Sequence, residues 1–291
     1  MTDRIPIKAG VMGWPVGHSL SPRLHGYWLK QYGINGTYQA IAVRPEDLGD
    51  ALNNLKRDDF AGVNLTVPHK EAALAHMDEV TDAARRIGAV NTVVLTPEGG
   101  LAGSNTDGFG FMENLKAALS SRRVSWRVDS GPAVVVGAGG AARAIVCALV
   151  DAGVGELRLI NRSEGRARDL AKAIGGPFDV IPWAGRESAL AGAALLVNTT
   201  TLGMTGQPPL DLSLAALPET AVVNDIVYAP LETPLLAAAR ARGNPVVDGL
   251  GMLLHQARPG FAAWFGIEPE VTEDLRAWVL KGMAGAAEDT E

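Results

Sequence analysis

The chain has 291 residues and a formal net charge of −6, and 47% of its residues are hydrophobic against 20% charged. These proportions exclude an intrinsically disordered chain, and the length favours two domains over one continuous core. Gly 34 and Pro 17 without a Gly-X-Y period exclude collagen and favour a fold with many tight loops. The acidic balance, without a long basic run, argues against a nucleic acid as the main partner.

The single cysteine and the first residues of the chain bear on its location. Cys147 lies in an apolar run, so we expect an inert buried thiol, no internal disulfide and a reducing compartment. Residues 1–10 are charged at Asp3, Arg4 and Lys8 with no apolar segment after them, and no apolar stretch reaches the roughly 18 residues of a bilayer span. We therefore expect a cytoplasmic protein with no membrane partner.

Short β-branched runs alternate with stretches of helix-like spacing along the first third of the chain. The pattern predicts strands at 5–12, 38–43, 60–65 and 90–95, and helices at 22–32, 45–56 and 79–87. This alternation is typical of βαβ units. It predicts a mostly parallel sheet with helices on its faces.

A second alternating block follows a helix at 109–119 and a polar junction at 120–131. Its predicted strands are 133–136, 156–160, 194–197 and 221–226, and its predicted helices are 140–152 and 165–174. Two more helices, 252–265 and 271–283, complete the pattern. Periodicity alone leaves open whether they extend the second block or return to the first.

A glycine-rich loop opens the second block. The pattern G-x-G-x-x-A directly follows a buried strand and directly precedes a helix, which is the setting of a dinucleotide-binding loop. In it, Gly137 permits a tight turn, Gly139 lets the backbone approach a pyrophosphate, and Ala142 allows close helix packing. We assign the cofactor phosphates to Gly137, Ala138, Gly139, Gly140 and Ala141. A glycine-rich turn without a ligand is the alternative.

The end of the next strand bears on the choice of cofactor. A fold of this type that prefers NAD usually places an acidic residue about 20 residues beyond the glycines, on the ribose 2′-hydroxyl. Here the chain has Asn161, Arg162 and Ser163, and Arg166 follows. Guanidinium groups form bidentate bonds to phosphate oxygens, so the pair suits a 2′-phosphate and predicts NADP. Ordinary surface arginines at a solvated helix start are the alternative.

Three polar segments of the first block follow predicted strands. They are 17–22 after the first strand, 64–70 after the third, and 105–108 after a run at 88–92. In an open α/β sheet, ligands bind beyond the carboxyl ends of the strands. We therefore expect all three segments to converge on one ligand site.

The chain resembles the shikimate dehydrogenase family, the NADP-dependent enzymes of aromatic amino-acid and chorismate biosynthesis. The motifs that carry the resemblance are H-S-L-S-P at 18–22, N-x-T-V-P-x-K at 64–70, G-A-V-N-T at 88–92, N-T-D-G at 105–108, G-A-G-G-A at 137–141, N-R-S at 161–163, D-I-V-Y-x-P at 225–230 and D-G-x-G-M-L-x-x-Q at 248–256. The resemblance implies an N-terminal α/β substrate domain at 1–108 and a Rossmann-type NADP-binding domain at 109–247. It also implies that C-terminal helices at 248–291 pack on the substrate domain.

The resemblance also implies a role for individual residues. Ser19 and Ser21 would donate to the substrate carboxylate, and Lys70 and Asp107 would be the catalytic pair. The residues implied to hold the ring hydroxyls are Asn64, Thr66, Asn91, Asp107 and Gln256. Three further residues match family positions around the substrate and the nicotinamide. We assign Tyr228 to the substrate, and Gly249 and Met252 to the cofactor.

Several of these residues have a structural alternative. Ser21, followed by a proline, fits a helix N-cap, and Asn64 with Thr66 fits turn chemistry after a strand. Lys70 with Asp107 would also make an ordinary surface ion pair. His69 stands where family members often carry an aromatic residue, which leaves the surroundings of Lys70 open.

The resemblance implies the reversible reduction of 3-dehydroshikimate to shikimate by NADPH, in an active site between two domains. Lys70 as an ammonium would donate a proton to the developing alkoxide, with Asp107 holding it in position. One alternative is a dehydrogenase that also accepts quinate or NAD, and another is a non-catalytic NADP-binding regulator. The histidine spacing indicates no metal site. The expected partners are the small-molecule substrate and, in a homodimer, a second copy of the chain.

Overall fold

The structure, a computed structural model, describes residues 5–122 and 126–288. Contacts divide the chain into two compact units, a first unit of Met1–Thr106 with Leu253–Glu291 and a second unit of Asp107–Met252. Residues 1–4 of the charged N-terminal segment and residues 123–125 of the predicted junction lie outside the described residues. None of the described helices is long and apolar enough to cross a membrane.

Strands and helices alternate along both units. The strands are β1 (Ile7–Gly13), β2 (Gly36–Ala42), β3 (Phe60–Leu65), β4 (Glu79–Val80), β5 (Thr92–Leu95), β6 (Leu101–Ser104), β7 (Ala133–Val136), β8 (Leu157–Ile160), β9 (Phe178–Ile181), β10 (Leu195–Asn198), β11 (Val222–Asp225) and β12 (Val246–Val247). The helices are α1 (Ser21–Gln31), α2 (Leu48–Asn53), α3 (Asp82–Ile87), α4 (Asp107–Arg122), α5 (Gly140–Asp151), α6 (Glu164–Ile174), α7 (Pro234–Ala241), α8 (Leu250–Phe265) and α9 (Glu273–Glu288).

The first sheet has the strand order β2-β1-β3-β5-β6-β4 and is mixed. β1 pairs in parallel with β2 and β3, whereas β5 is antiparallel to both β3 and β6. The prediction of a mostly parallel first sheet is therefore confirmed for three of the five strand pairs, and β5 is the antiparallel exception. The cause is local, because residues 96–100 are too few for the crossover that a parallel pair needs, so β5 and β6 form a hairpin.

The predicted helix at 79–87 is wrong over its first residues. Glu79 and Val80 form β4, which pairs in parallel with β6, and α3 begins after Thr81. The Thr81 hydroxyl accepts a hydrogen bond from the Ala84 N–H at 3.3 Å. This N-cap sets the helix start, which the spacing of apolar residues placed too early. The pattern also missed β6, β9, β12 and α7.

The C-terminal helices complete the aromatic core of the first unit. Phe261 and Trp264 of α8 pack against Trp28 of α1 and Tyr38 of β2, with ring centroids 5.2 and 6.0 Å apart. The Trp264 indole donates a hydrogen bond to the Val93 carbonyl of β5 at 3.0 Å. The chain therefore returns to the first unit after leaving the second, as the family resemblance implies. This packing resolves the alternative that periodicity left open.

The second sheet is parallel among the described strands, in the order β12-β11-β10-β7-β8-β9. β7 is buried along its whole length, as expected for a strand covered on both faces. The order reverses direction at β7, which is the doubly wound arrangement of the Rossmann fold. Ligands of such sheets bind beyond the carboxyl ends of the strands at this reversal, where the predicted glycine loop follows β7.

Candidate active site

One edge of the first sheet gathers the polar segments that the sequence singles out. β1 and β3 are parallel, so the segments after Gly13 and Leu65 leave the sheet at the same edge. Because β5 is antiparallel to β3, Asn91 lies at this edge just before β5 begins, and it accepts a backbone hydrogen bond from Leu65 at 2.8 Å. The Asn91 N–H donates to the Ser104 carbonyl, where β6 ends, at 3.0 Å. The antiparallel direction of β5, which the sequence pattern did not predict, is what brings Asn91 and Thr106 together.

A network of hydrogen bonds between neutral groups fills this edge. Asn91 Oδ1 accepts from the Thr106 N–H and the Thr92 hydroxyl, both at 2.9 Å. Asn91 Nδ2 donates to Thr106 Oγ1 at 3.0 Å and to Gln256 Oε1 at 3.3 Å, and Thr106 Oγ1 donates to the Gln256 carbonyl at 2.8 Å. Asn91 and Gln256, both predicted to hold ring hydroxyls, are thus in direct contact. Thr92 and Thr106 are members of the network that sequence reasoning gave no role.

Asn64 forms a second branch of the same network. Its Nδ2 donates to the Asn91 carbonyl and to Thr92 Oγ1, both at 3.1 Å, and its Oδ1 accepts from the Tyr38 hydroxyl at 2.6 Å. Burial raises the pKa of the Tyr38 phenol well above its usual value, and a hydrogen bond with the Ser21 side chain partly offsets the rise. Asn64 is therefore fixed in orientation by partners on three sides. Tyr38 carried no sequence signal beyond a lone aromatic residue in a strand.

The two predicted carboxylate-binding serines lie at the start of α1. Ser21 is the first residue of this helix, and the N-cap is Leu20, which makes no side-chain cap. The N-cap alternative for Ser21 is therefore wrong, because Ser21 already lies inside the helix, one residue after the N-cap. Ser19 is half-buried and its Oγ accepts from the Ser21 N–H at 3.3 Å. The positive end of the helix dipole at this position favours an anion.

The segment after β3 packs back against β1. The Thr66 methyl group lies over Gly13, where an added Cβ would come within 2.4 Å of it. His69 is buried and its Nε2 contacts the Val43 carbonyl at 2.8 Å. This contact fixes the segment after β3 against the residue that follows β2, so His69 has a structural role. Lys70, the next residue, is half-buried.

In the second unit, the glycine loop has the backbone of a phosphate cradle. Gly137 has a φ of 118°, and an added Cβ would lie 2.4 Å from Thr199 Oγ1, so only glycine fits. At Gly139 and Gly140 an added Cβ would meet no described atom within 4 Å. This open space lies at the start of α5, whose first N–H groups have no acceptor within the helix.

The rest of the predicted cofactor set extends from this loop to the end of β8. Ala138 is buried and Ala141 half-buried. The Gly137 N–H donates to the last carbonyl of β8 at 2.8 Å, so the loop and this strand end lie side by side. Asn161 Nδ2 donates to the Ser163 carbonyl at 2.8 Å and shapes the turn into α6.

Arg162 and Arg166 lie beyond β8 with their side chains exposed. Neither guanidinium pairs with a carboxylate within residues 5–122 and 126–288. No acidic residue stands between β8 and α6. The open glycine backbone and the two unpaired guanidinium groups fit a dinucleotide that carries a 2′-phosphate.

Four other predicted site residues lie in the second unit. Asp107 is buried as the first residue of α4, where the helix dipole favours a carboxylate. Tyr228 follows β11, and burial raises its pKa. Gly249 approaches the backbone so closely that an added Cβ would lie 2.1 Å from the Ile226 carbonyl oxygen. Met252 is buried in α8.

Asp225, the last residue of β11, is a buried carboxylate to which sequence reasoning gave no role. Its Oδ1 accepts from Asn198 Nδ2 and from the Val227 N–H, both at 3.0 Å, and its Oδ2 accepts from the Thr233 hydroxyl at 2.7 Å. Burial raises the pKa of this carboxyl, and these hydrogen bonds partly offset the rise. Thr233 also caps α7 through the Leu236 N–H at 3.3 Å. The carboxylate thus ties the ends of β10 and β11 to α7.

Known proteins match both units. A family described as shikimate dehydrogenase substrate binding domain matches residues 11–93, and one described as shikimate / quinate 5-dehydrogenase matches residues 118–202. The NADP(+) shikimate dehydrogenase of Paramagnetospirillum magneticum is 62% identical over 272 residues, which cover 94% of this chain and 97% of that protein.

Solved structures match over the same span. Shikimate 5-dehydrogenase from Thermus thermophilus, in complex with NADP(H) and shikimate, is 40% identical with a TM-score of 0.82, covering 96% of this chain and 99% of that one. Quinate dehydrogenase from Corynebacterium glutamicum, in complex with NAD, is 33% identical with a TM-score of 0.86, covering 95% and 99%. With high identity across almost the full length, the chain belongs to the shikimate dehydrogenase family.

Proposed function

We propose that the protein catalyses the reversible reduction of 3-dehydroshikimate to shikimate with NADPH. The observation that carries this proposal is the neutral network at the edge of the first sheet. There, Asn64, Asn91 and Gln256 meet from distant parts of the sequence. The Asn91 side chain bonds to the Gln256 side chain, and the Asn64 side chain bonds to the Asn91 carbonyl. Amide groups both donate and accept, which is what vicinal hydroxyls of a small polyol require. The activity also agrees with the names of the relatives of this chain.

In this proposal the substrate domain is residues 1–108 with the helices at 248–291. The hydroxyls of Ser19 and Ser21 bind the carboxylate at the start of α1. The ring hydroxyls are held by Asn64, Thr66, Asn91, Asp107 and Gln256, with Tyr228 also against the substrate. The buried position of Asn91 in its network supports a rigid, preformed site.

Lys70 and Asp107 carry out the proton transfer. When bound, NADPH supplies the hydride to the ring ketone. Lys70 donates a proton to the oxygen as its negative charge develops, and Asp107 is the carboxylate partner of the ammonium. In the reverse direction a neutral Lys70 accepts the proton of the ring hydroxyl.

Residues 109–247 form the NADP domain in this proposal. The pyrophosphate lies on the backbone of Gly137–Ala141 at the start of α5. The 2′-phosphate is bound by Arg162 and Arg166, with Asn161 and Ser163 beside them. Gly249 and Met252 border the nicotinamide. The open space above Gly139 and the exposure of both arginines support these assignments.

Steady-state assays with shikimate and quinate, each against NADP and NAD, test the proposed function. We expect shikimate with NADP to give the highest kcat/KM, by about tenfold or more. A higher value with quinate or NAD would favour a quinate dehydrogenase, which the likeness to the Corynebacterium glutamicum enzyme makes the second candidate. Turnover in none of the four assays would overturn the enzyme and favour an NADP-binding regulator.

We also propose a cytoplasmic location and a homodimeric assembly. Cys147 is buried and forms no disulfide with any residue that the structure describes, which supports a reducing compartment. Light scattering after size exclusion, at concentrations spanning the cellular range, should give twice the chain mass of 30.5 kDa. A mass of one chain at every concentration would overturn the dimer.

A further inference from the structure

Asp225 holds the backbone turn that follows β11. Its Oδ1 accepts a hydrogen bond from the Val227 N–H, two residues further along, at 3.0 Å, which is the pattern of an Asx turn. The Val227 carbonyl in turn accepts from the Gly249 N–H at 3.3 Å. One carboxylate oxygen thus fixes the residue whose carbonyl holds Gly249.

The turn and Gly249 touch backbone to backbone. A Cβ added to Gly249 would lie 2.1 Å from the Ile226 carbonyl oxygen and 2.7 Å from the Val227 carbonyl oxygen. Because no side chain lies between the two segments to take up a displacement, a shift of the turn is passed on to Gly249. Tyr228, the next residue of the turn, shifts with it.

Asn198 fixes the Asp225 carboxylate from the neighbouring strand. The two residues are in register at the ends of β10 and β11, and both side chains are fully buried. Asn198 Nδ2 donates to the Leu202 carbonyl at 3.1 Å and to Asp225 Oδ1 at 3.0 Å, while Asn198 Oδ1 accepts from the Thr200 N–H at 3.0 Å. A carbonyl can only accept and a backbone N–H can only donate, so the Asn198 amide has one orientation. Asp225 Oδ1 therefore faces two donors.

A different residue holds the glycine loop. The Thr199 N–H and hydroxyl both donate to the Val136 carbonyl, at 2.9 and 2.7 Å. The same hydroxyl lies where an added Cβ at Gly137 would meet it, at 2.4 Å. None of these contacts involves Asp225. The loop proposed for the pyrophosphate therefore keeps its own support when the bonds of Asp225 are removed.

We propose that Asp225 is a positioning residue for the nicotinamide half of NADP. It acts through Val227 on Gly249 and leaves the phosphates to the glycine loop and the arginines. Hydride transfer depends on the placement of the reacting atoms, and a displacement of about 1 Å can lower a rate by about 10²-fold. This inference rests on the proposed function, which places the nicotinamide beside Gly249 and Met252.

Binding of a whole and of a partial cofactor tests the inference. Adenosine 2′,5′-bisphosphate carries the 2′-phosphate and lacks the nicotinamide. By titration calorimetry, we expect Asp225→Ala to weaken NADP by about tenfold and the bisphosphate by less than about twofold, because only the nicotinamide side loses its support. We also expect kcat to fall by roughly 10- to 100-fold.

Asp225→Asn is the conservative variant. Its amide oxygen would still accept from Val227 and Asn198, and its amide nitrogen would face the Thr233 hydroxyl, which can accept. We expect this variant to bind NADP within about threefold of the parent, since both Oδ1 bonds remain. A loss as large as that of Asp225→Ala overturns the positioning role.

Asn244→Ala is the matched control. Asn244 is a buried side chain that ties loops of the same sheet at its opposite edge, where its Nδ2 donates to the Pro218 and Ala221 carbonyls at 2.8 and 3.0 Å. This variant should lower the urea midpoint and leave the affinities for both ligands unchanged. It separates a local displacement from a general loss of stability.

The outcomes distinguish the positioning role from the proposed function. Equal weakening of NADP and of the bisphosphate by Asp225→Ala overturns the positioning role and leaves the proposed function standing, as does an unchanged NADP affinity. A parent protein that binds neither ligand overturns both.

Asp225→Ser replaces Asp225→Ala if the alanine variant does not fold. A serine hydroxyl can reach the same N–H, but more weakly than a carboxylate. We expect Asp225→Ser to weaken NADP by about 3- to 10-fold with the bisphosphate unchanged. Equal losses for the two ligands overturn the positioning role here too.

Discussion

The two sheets present polar groups at their carboxyl edges in different ways. The first sheet inserts the antiparallel β5, so the start of one strand meets the ends of others, and amide and hydroxyl side chains fill the edge. The second sheet keeps its strands parallel and opens the edge with glycine backbone, while its buried charge, Asp225, ties loops together. The contrast teaches that a site built from side chains needs tertiary partners to form. A site built from backbone needs only a short motif.

The largest effect should come from removing the proposed proton donor of the first region. We expect Lys70→Ala to lower kcat by roughly 10²–10⁴-fold, because a positioned proton donor is lost, with little change in KM for shikimate. Stopped-flow and steady-state rates of NADPH consumption measure this. Lys30→Ala, at an exposed lysine in the last turn of α1, is the control and should leave kcat unchanged. A rate above a tenth of the parent would remove Lys70 from the mechanism.

The second region should respond to a change in its charge. We expect Arg162→Ala with Arg166→Ala to weaken NADP by about 10²-fold and NAD by less than threefold, because charge-assisted bonds to a 2′-phosphate are lost. Titration of each cofactor by fluorescence gives both affinities. Arg168→Ala is the control, since this exposed arginine of α6 pairs with Glu164 in the same helix. Equal weakening of NADP and NAD would mean that the arginines do not bind the 2′-phosphate.

The smallest effect that we expect is a loss of folding stability in acid. It should arise in the first region, where the His25 ring is fully buried. The folded pKa of His25 is about 3, well below the 6.5 of an unfolded chain. Below pH 6.5 the unfolded chain therefore takes up a proton that the folded chain does not, and the free energy of unfolding falls by about 1.4 kcal/mol per pH unit down to about pH 3. At pH 5 this amounts to about 2 kcal/mol.

Urea unfolding at pH 7.5 and pH 5.0 measures that loss. His25→Phe keeps a ring at this buried position and should lose about 2 kcal/mol less between the two pH values than the parent. His76→Gln, at an exposed histidine, is the control and should behave like the parent. Equal pH dependence in the parent and in His25→Phe would contradict the buried neutral ring.

The difference between the regions also explains what the sequence could predict. The predicted strand 133–136 has the same bounds as β7, because a continuous apolar run before G-x-G has few other interpretations. The mixed pairing of the first sheet was missed, because β6 is four residues long and contains glycine and serine, a composition that carries no strand pattern. Strand direction then depended on a hairpin that the pattern did not contain.

The candidate site shows the same division. The family motifs pointed to Asn91 and Gln256, which the structure brings into contact. Tyr38 stood outside every motif, and Thr106 stood inside one without a role, because a polar side chain acquires its role only from the partners that folding places beside it. Asp225 stood inside a motif, yet its burial and its three donors depend on β10 and α7.

The return of α8 to the first unit has a consequence for synthesis on the ribosome. The stretch Asp107–Met252 is continuous, so every residue of the second unit has been made before Phe261 and Trp264 emerge. Until then Trp28 and Tyr38 lack the rings that cover them, and Asn91 lacks Gln256. The first part of the chain to be translated is thus the last to be completed. A polypeptide cut short before α8 would keep the glycine loop after β7 and lose the contact between Asn91 and Gln256 at the edge of the first sheet.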